Sequence, residues 1–166
     1  MAVLTTARLS LREMTDADLD DMASLLGDPE VMRHYPRPRT RDEAQAWINW
    51  NKSNYAEHGF GLWLVTLRET GEFVGDCGLV YQQVDGVREV EVGYHVTTSL
   101  QGQGLATEAA AAARDYARDV RGFRRLIAII DPANVPSQRV AEKIGLRPEK
   151  RSRPFGLEAV IYAGAL

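Results

Sequence analysis

The chain has 166 residues, of which 45% are hydrophobic and 26% charged, and a formal net charge of −3. This length favours one domain, residues 1–166, and the composition excludes disordered, collagen-like and coiled-coil chains. No run approaches the roughly 18 apolar residues of a membrane helix, and residues 1–11 lack the features of a signal peptide, so we expect a cytoplasmic protein without a membrane partner.

Charge and cysteine content narrow the function classes further. Residues 1–98 carry 9 Lys and Arg against 16 Asp and Glu, a net −7, whereas residues 99–166 carry 11 against 7, a net +4. This division predicts that the two halves meet different partners. A single cysteine, Cys77, and three scattered histidines give neither a disulfide framework nor zinc-ligand spacing, so we expect no metal.

The first third of the chain predicts one strand and two helices. Alternating apolar and polar residues predict a strand over about residues 7–13. Helices are predicted over about 15–27 and 40–59, because each segment begins at a threonine followed three positions later by an acidic residue and ends near a glycine.

The remaining segments complete an α+β pattern. The predicted strands are 61–67, 72–80, 87–96, 126–130 and 158–163, and the predicted helices are 103–120 and 137–144. Glycine-bearing turns join the first three of these strands, which indicates an antiparallel meander. The order β-α-α-β-β-β-α-β-α-β predicts a mixed, mostly antiparallel sheet flanked by helices.

The most informative segment is a strand, a small-residue loop and a helix start at residues 91–109. Gly102 and Gly104 permit backbone conformations that a Cβ would obstruct. The helix that follows offers unpaired N–H groups and its positive dipole end, which suit a phosphate or pyrophosphate. An ordinary glycine turn is the alternative. Neither the Walker nor the Rossmann glycine pattern is met.

This loop carries a resemblance to a known family. Gln101, Gly104 and Ala106 match the Gln/Arg-x-x-Gly-x-Gly/Ala pyrophosphate loop, so the chain resembles the GNAT superfamily of acyl-CoA-dependent N-acetyltransferases. Other segments are similar to its ribosomal-protein N-terminal alanine and serine acetyltransferase branch: Glu91–Tyr94, Ala106–Ala109, Asn134-x-x-Ser137 and Glu142–Leu146. The resemblance covers nearly the whole chain and implies the GNAT fold, with acetyl-CoA as cosubstrate.

The resemblance also implies how acetyl-CoA is held. The strand edge at Tyr94–Val96 would pair with the pantetheine arm, backbone N–H groups of 102–107 would hold the pyrophosphate, and Asn134 would bond the pantetheine. Asn134 is equally placed to cap a helix. The implied cofactor-binding residues are Tyr94, His95, Val96, Gln101, Gly102, Gln103, Gly104, Leu105, Ala106, Thr107, Asn134 and Ser137.

Amide formation needs a neutral amine, so some base must assist. The position where one GNAT group has a glutamate is Ile129 here. Glu91 is our preferred base, directly or through a water, with a solvated strand carboxylate as the alternative. His95 shares its strand face and is a second candidate, although such a histidine often only packs. The resemblance implies a backbone N–H near Val96 as the oxyanion donor.

The leaving thiolate needs a hydrogen-bond donor. Many GNAT members have a tyrosine at the position that is Ala141 here. By resemblance Ser137 donates to the sulfur, and local support of its helix is the alternative. Arg139, Lys143 and Arg147 are candidates to attract the 3′-phosphate of the cofactor, or they meet only water.

These observations predict an N-acetyltransferase that works by direct attack on acetyl-CoA, with a protein N-terminal α-amine as the leading acceptor. The alternatives are a small cationic amine, such as a polyamine or aminoglycoside, and a non-catalytic acyl-CoA sensor. Direct nucleic-acid binding is not expected from an acidic chain, and the sequence leaves open a homodimer. Acidic residues around 16–21 are expected to border the amine, and four aromatics are candidates for its pocket or the core: Trp47, Trp50, Tyr55 and Trp63.

Overall fold

A computed structural model describes residues 1–166 as one sheet of eight strands with four α-helices. The strands are β1 (Ala2–Thr5), β2 (Leu9–Arg12), β3 (Leu62–Leu67), β4 (Phe73–Val84), β5 (Val87–Val96), β6 (Arg125–Ile130), β7 (Arg147–Ser152) and β8 (Ala159–Ala165). The helices are α1 (Leu19–Leu26), α2 (Arg41–His58), α3 (Leu105–Asp119) and α4 (Val135–Lys143).

The strand order is β1-β2-β3-β4-β5-β6-β8-β7, and only β5 and β6 pair in parallel. All other neighbours are antiparallel. The predicted α+β fold class, with a mostly antiparallel sheet flanked by helices, is therefore confirmed. β5 and β6 are joined through α3, as a parallel connection requires.

The two outermost strands, β1 and β7, are additional to the predicted pattern. β7 has the sequence Arg-Pro-Glu-Lys-Arg-Ser, and its first five residues are exposed. Charge and proline are typical of an edge strand, where one row of backbone groups needs no partner. A strand of this kind has no apolar alternation, which is why its sequence does not indicate it.

Helices cover both faces of the sheet. Leu64, Asp76 and His95 follow one another across β3, β4 and β5, whereas Trp63, Cys77 and Tyr94 lie on the opposite face. The indole of Trp47 in α2 donates a hydrogen bond to Asp76, and Tyr116 of α3 packs edge-on against Trp63. α2 therefore lies on the Asp76 face and α3 on the Trp63 face.

Small residues let α3 approach the sheet closely. Ala109, Ala110, Ala113 and Ala117 are all buried. They belong to a core cluster of 32 residues that also holds the apolar faces of α1 and α2. None of the four helices combines the length and apolar character that membrane crossing requires.

Candidate active site

β5 and β6 separate at the centre of the sheet. Their pairing is limited to Glu91 opposite Ile127, after which β5 stays with β4 as far as Val96 and β6 stays with β8 as far as Ile130. A cavity of about 680 Å³ occupies this region. The split therefore gives a ligand access to the middle of the sheet.

The cavity reaches both faces of the sheet. Its walls include Tyr94 and His95, which point to opposite faces because they are consecutive in β5. Ser137 borders it from α4, and Tyr35 borders it from the segment between α1 and α2. Two reactants can thus approach from opposite faces and meet within the split.

The start of α3 presents unpaired backbone donors to this cavity. No N–H group from Gly102 to Thr107 bonds to another backbone group, and no side chain caps the helix. Gly102 and Gly104 have φ values of +78° and +79°, a left-handed conformation that glycine adopts without strain. Six donors at the positive end of a helix form a cradle for an anion.

An ion pair holds this loop against the first strands of the sheet. Arg8 donates to the carbonyl of Gln103 at 3.0 Å and to the carboxylate of Glu108 at 2.8 Å. Glu108 also accepts from the backbone N–H of Arg8 at 2.9 Å. Gln103 is the one residue of 102–107 that does not border the cavity, and its carbonyl is bound by Arg8.

The edge of β5 faces the split with its backbone groups. The Thr97 N–H donates to the Val74 carbonyl of β4. In an antiparallel pair, successive residues direct their backbone groups alternately toward the partner strand and away from it. The backbone groups of Tyr94 and Val96 therefore point away from β4, toward the gap. The Gln101 side chain donates to the Val96 carbonyl at 2.9 Å. The remaining groups of this edge can bond an extended, amide-bearing ligand.

Asn134 and Ser137 mark the opposite wall. Asn134 accepts from the Ser137 backbone N–H at 3.2 Å and so caps α4, the alternative that the sequence indicated. The Ser137 hydroxyl donates to the Tyr94 hydroxyl at 3.1 Å, and Tyr94 donates to the Ser137 carbonyl at 2.7 Å. Burial raises the pKa of Tyr94, which keeps this hydroxyl protonated.

Three cationic side chains of the cavity wall are free of ion pairs. Arg33, Arg139 and Lys143 border the cavity, and none has a carboxylate within salt-bridge distance. Together with the N–H cradle and the free strand edge, they match the phosphates and amides of coenzyme A. Arg147 is engaged by the carbonyls of Glu142 and Leu146 and lies outside the wall.

Glu91 lies on the α2 face of β5 but outside the cavity wall. Its carboxylate accepts from Gln82 at 3.3 Å. Burial raises the pKa of Glu91 to about 7, a value suited to a base near neutral pH.

His95 forms a hydrogen-bonded chain in the cavity wall. Its Nδ1 is 2.8 Å from Oδ1 of Asp76, and its Nε2 is 2.7 Å from the hydroxyl oxygen of Tyr35. Burial opposes the charged ring, but Tyr35 and Asp76 together raise the pKa of His95 to about 10. Neither Tyr35 nor Asp76 is indicated by the sequence motifs, because both become partners of His95 only through the fold.

The model of the acetyltransferase (GNAT) domain family matches residues 8–147. The chain belongs to the GNAT acetyltransferase family. It is 39% identical to the Bacillus subtilis protein YkkB over 160 residues, which cover 96% of this chain and 93% of that protein. It is 33% identical to the Bacillus subtilis N-acetyltransferase YnaD, over 93% of this chain and 90% of that protein.

A solved structure shares the fold of this GNAT chain. The acetyltransferase from Agrobacterium tumefaciens strain C58 superposes with a TM-score of 0.86 at 27% identity, over 97% of this chain and 92% of that one. The chain is thus an N-acetyltransferase that uses acetyl-CoA as cosubstrate. No group of three or more metal-ligating side chains is arranged to hold a metal ion.

The structure places the four candidate aromatics of this acetyltransferase outside the cavity wall, and two of them in the core, an alternative that the sequence left open. None of the four candidate aromatics borders the cavity: Trp63 and Tyr55 belong to the core, Trp50 is exposed, and Trp47 supports Asp76.

The acidic residues around 16–21 also lie outside the cavity wall of this GNAT chain. Asp16 pairs with Lys52, Asp18 with Arg12, and Asp20 with Arg41. These three carboxylates are therefore engaged by cations of the protein itself. The carboxylates that do border the cavity are Glu30, Asp131 and Glu158.

Proposed function

We propose that residues 1–166 act as one acyltransferase domain that moves the acetyl group of acetyl-CoA directly to a primary amine, first of all a protein N-terminal α-amine. The observation that carries the proposal is the row of six unpartnered N–H groups, Gly102 to Thr107, of which all but Gln103 belong to residues that border the cavity in the β5–β6 split. A pyrophosphate at this cradle and a pantetheine along the β5 edge would bring the thioester into the split.

The geometry of the cavity supports the following cofactor-binding roles. The pyrophosphate accepts hydrogen bonds from the N–H groups of 102–107, and Arg139 and Lys143 of α4 supply positive charge for a further phosphate. The edge of β5 at Tyr94 and Val96 bonds the pantetheine amides. Val96 N–H, turned toward the gap, is the proposed donor to the oxyanion.

Ser137 is proposed to donate a hydrogen bond to the leaving sulfur. Its hydroxyl proton now points to Tyr94, and a single hydroxyl can donate only once, so it would turn from Tyr94 to the sulfur as negative charge develops. Glu91 remains the sequence-based candidate for the base. Because it lies outside the cavity wall, it would need a water between itself and the amine.

The acceptor side favours a cationic amine. The carboxylate of Glu30 borders the cavity and takes part in none of the ion pairs of the protein. Phe155 and Leu157, in the loop between β7 and β8, are exposed beside the same cavity. A carboxylate opposite apolar side chains suits an amine that carries a short apolar group, such as the first residue of a peptide.

The α-amine of a protein N-terminus is also easier to deprotonate than the side-chain amine of a lysine. An α-amine has an ordinary pKa of about 7.7–8.0 and a lysine about 10.4, so a larger fraction of the α-amine is neutral near pH 7. A small polyamine or aminoglycoside is the second candidate, favoured by the same Glu30 carboxylate. The cytoplasm, where acetyl-CoA and nascent N-termini coexist, is the proposed location.

Purified protein with acetyl-CoA and a panel of amines tests the proposal. The panel comprises N-terminal peptides, lysine peptides, polyamines and an aminoglycoside, with products detected by intact mass and free CoA by a thiol reagent. We expect acetylation of N-terminal peptides at the α-nitrogen, and none by the Gly104→Val variant. Binding of acetyl-CoA without acetylation of any amine would show an acyl-CoA sensor and overturn the proposal.

A further inference from the structure

We propose that Tyr35 is the catalytic residue that removes the proton from the acceptor amine, passing its own hydroxyl proton to His95, with Asp76 as the positioning residue. The inference rests on the proposed amine acetylation, and it deepens that function by naming the residue that meets the acceptor. The three side chains come from three separate parts of the chain: the segment after α1, strand β4 and strand β5.

The two hydrogen bonds fix the direction of proton movement. The Asp76 carboxylate can only accept, so Nδ1 of His95 carries the proton between them, at 2.8 Å. The raised pKa of His95 keeps the ring mostly protonated near pH 7, and the neutral form acts as the base, so activity should rise with pH. In that neutral form Nε2 has a free lone pair and accepts from the Tyr35 hydroxyl at 2.7 Å. The Tyr35 oxygen consequently gains electron density and can accept a proton from a ligand.

The rest of the fold keeps this chain in place. Trp47 donates to the second oxygen of Asp76 at 3.0 Å, so both carboxylate oxygens are occupied. The Trp47 ring meets the His95 ring edge-on at 6.0 Å, and the Tyr35 ring lies 5.5 Å from it on another side. The imidazole is thus held in one orientation by contacts on two sides.

Exposure increases along the chain toward the cavity. The side chain of Asp76 is 0% exposed and that of His95 9%, whereas Tyr35 is 41% exposed. Both Tyr35 and His95 border the cavity, but Asp76 does not. An amine in the cavity can therefore reach the Tyr35 hydroxyl, while the carboxylate that stabilises the imidazolium stays shielded from solvent, where its interaction with the ring is strong.

The proton and bond changes balance along this route. The amine nitrogen forms a bond to the thioester carbonyl carbon, and the C–S bond breaks with its electron pair on sulfur. One proton leaves the nitrogen for the Tyr35 oxygen as the Tyr35 proton moves to Nε2 of His95. The thiolate takes a proton from solvent, and the imidazolium returns one to solvent through Tyr35.

Other groups that face His95 support this assignment. The titratable groups around it are Tyr35 from the α1–α2 segment, Asp76 from β4 and Glu91 on its own strand, while α2 contributes the uncharged Trp47. Glu91 lies on the same face of β5 as His95, four residues earlier in the strand. Its carboxylate is bound by Gln82, and it lies outside the cavity wall. Tyr35 is the member of this set that is both exposed and in the cavity.

The test is steady-state kinetics on the acceptor that the panel identifies, with the variants Tyr35→Phe, Asp76→Asn and Glu91→Gln. Tyr81→Phe is the matched control, because the Tyr81 hydroxyl makes no hydrogen bond and lies outside the cavity wall. We expect Tyr35→Phe to lower kcat about 100-fold, with an unchanged Kd for acetyl-CoA, and Tyr81→Phe to match the wild type.

The pH profile separates a positioning role of Asp76 from a merely structural one. Because Asp76 favours the imidazolium, Asp76→Asn should move the ascending limb of kcat/KM to lower pH and lower its plateau. Two results would overturn the inference and leave the proposed function standing, provided that the wild type acetylates an amine. One is a kcat of Tyr35→Phe equal to that of the wild type, and the other is loss of activity in Glu91→Gln alone. Absence of acetylation of every amine by the wild type would overturn both.

Discussion

The half-buried carboxyl of Glu91 should make the stability of the protein depend on pH in a defined direction. Burial raises its pKa from 4.5 to about 7. Because the folded value lies above the unfolded one, the neutral carboxyl is the better tolerated form, and ionisation costs stability as the pH rises through 7. Glu91→Gln keeps an amide that can bond Gln82 and removes this ionisation.

The magnitude follows from the two pKa values. Each pKa unit corresponds to about 1.4 kcal/mol. Between pH 5 and pH 8 the penalty of the wild type should grow by about 2 kcal/mol, allowing for the part of the carboxyl that solvent reaches. For a chain of this length that is about 4–8 °C in Tm.

Urea and thermal unfolding of wild type and Glu91→Gln at pH 5, 6, 7 and 8 measure the effect. All other ionisable groups are common to both proteins, so the difference between the two free energies of unfolding isolates Glu91. We expect the free energy of unfolding of Glu91→Gln to increase relative to that of the wild type, mostly between pH 5 and pH 7, and this difference to level off above pH 7. A difference that is constant over this range would refute the reasoning, because a carboxyl with its ordinary pKa is already ionised at pH 5.

Three further changes test the cofactor side. Ser137→Ala should lower kcat about 10-fold with little change in the Kd of acetyl-CoA, measured by calorimetry, and an unchanged kcat would remove Ser137 from the mechanism. Gly104→Val should abolish detectable acetyl-CoA binding. Gly122→Val is the control and should bind normally, because Gly122 has a φ of +70° and open space around it, so its substitution carries the same backbone strain. Equal acetyl-CoA affinities of the two variants would refute the loop assignment. Replacing Arg139 and Lys143 by Ala should raise the Kd about 10-fold at low salt and less at high salt, and a Kd independent of salt would contradict a phosphate contact.

The sequence predicts the centre of this fold better than its margins. β3, β5, β6 and α3 lie close to their predicted positions, because strong apolar periodicity and glycine-bearing turns mark them. The edge strands β1 and β7 carry no such pattern, since solvent covers one side of an edge strand.

The same distinction holds for the site. The loop from Gln101 to Thr107 is local in sequence, so its glycines and the following helix indicate an anion cradle before any tertiary contact is known. Tyr35 and Asp76 carry no local signal, because each acquires its role from one hydrogen bond to His95 across the fold. Functions that depend on a few long-range contacts are those that sequence motifs predict least well.

The measurement that tests the central claim most directly is hydrogen–deuterium exchange of the backbone amides with and without acetyl-CoA. The N–H groups of 102–107 have no backbone partner in the free protein, so they should exchange rapidly there and slow markedly when acetyl-CoA binds. The β5 edge at Tyr94 and Val96 should become protected with them. Saturating acetyl-CoA that leaves exchange at 102–107 unchanged would contradict binding in the β5–β6 split.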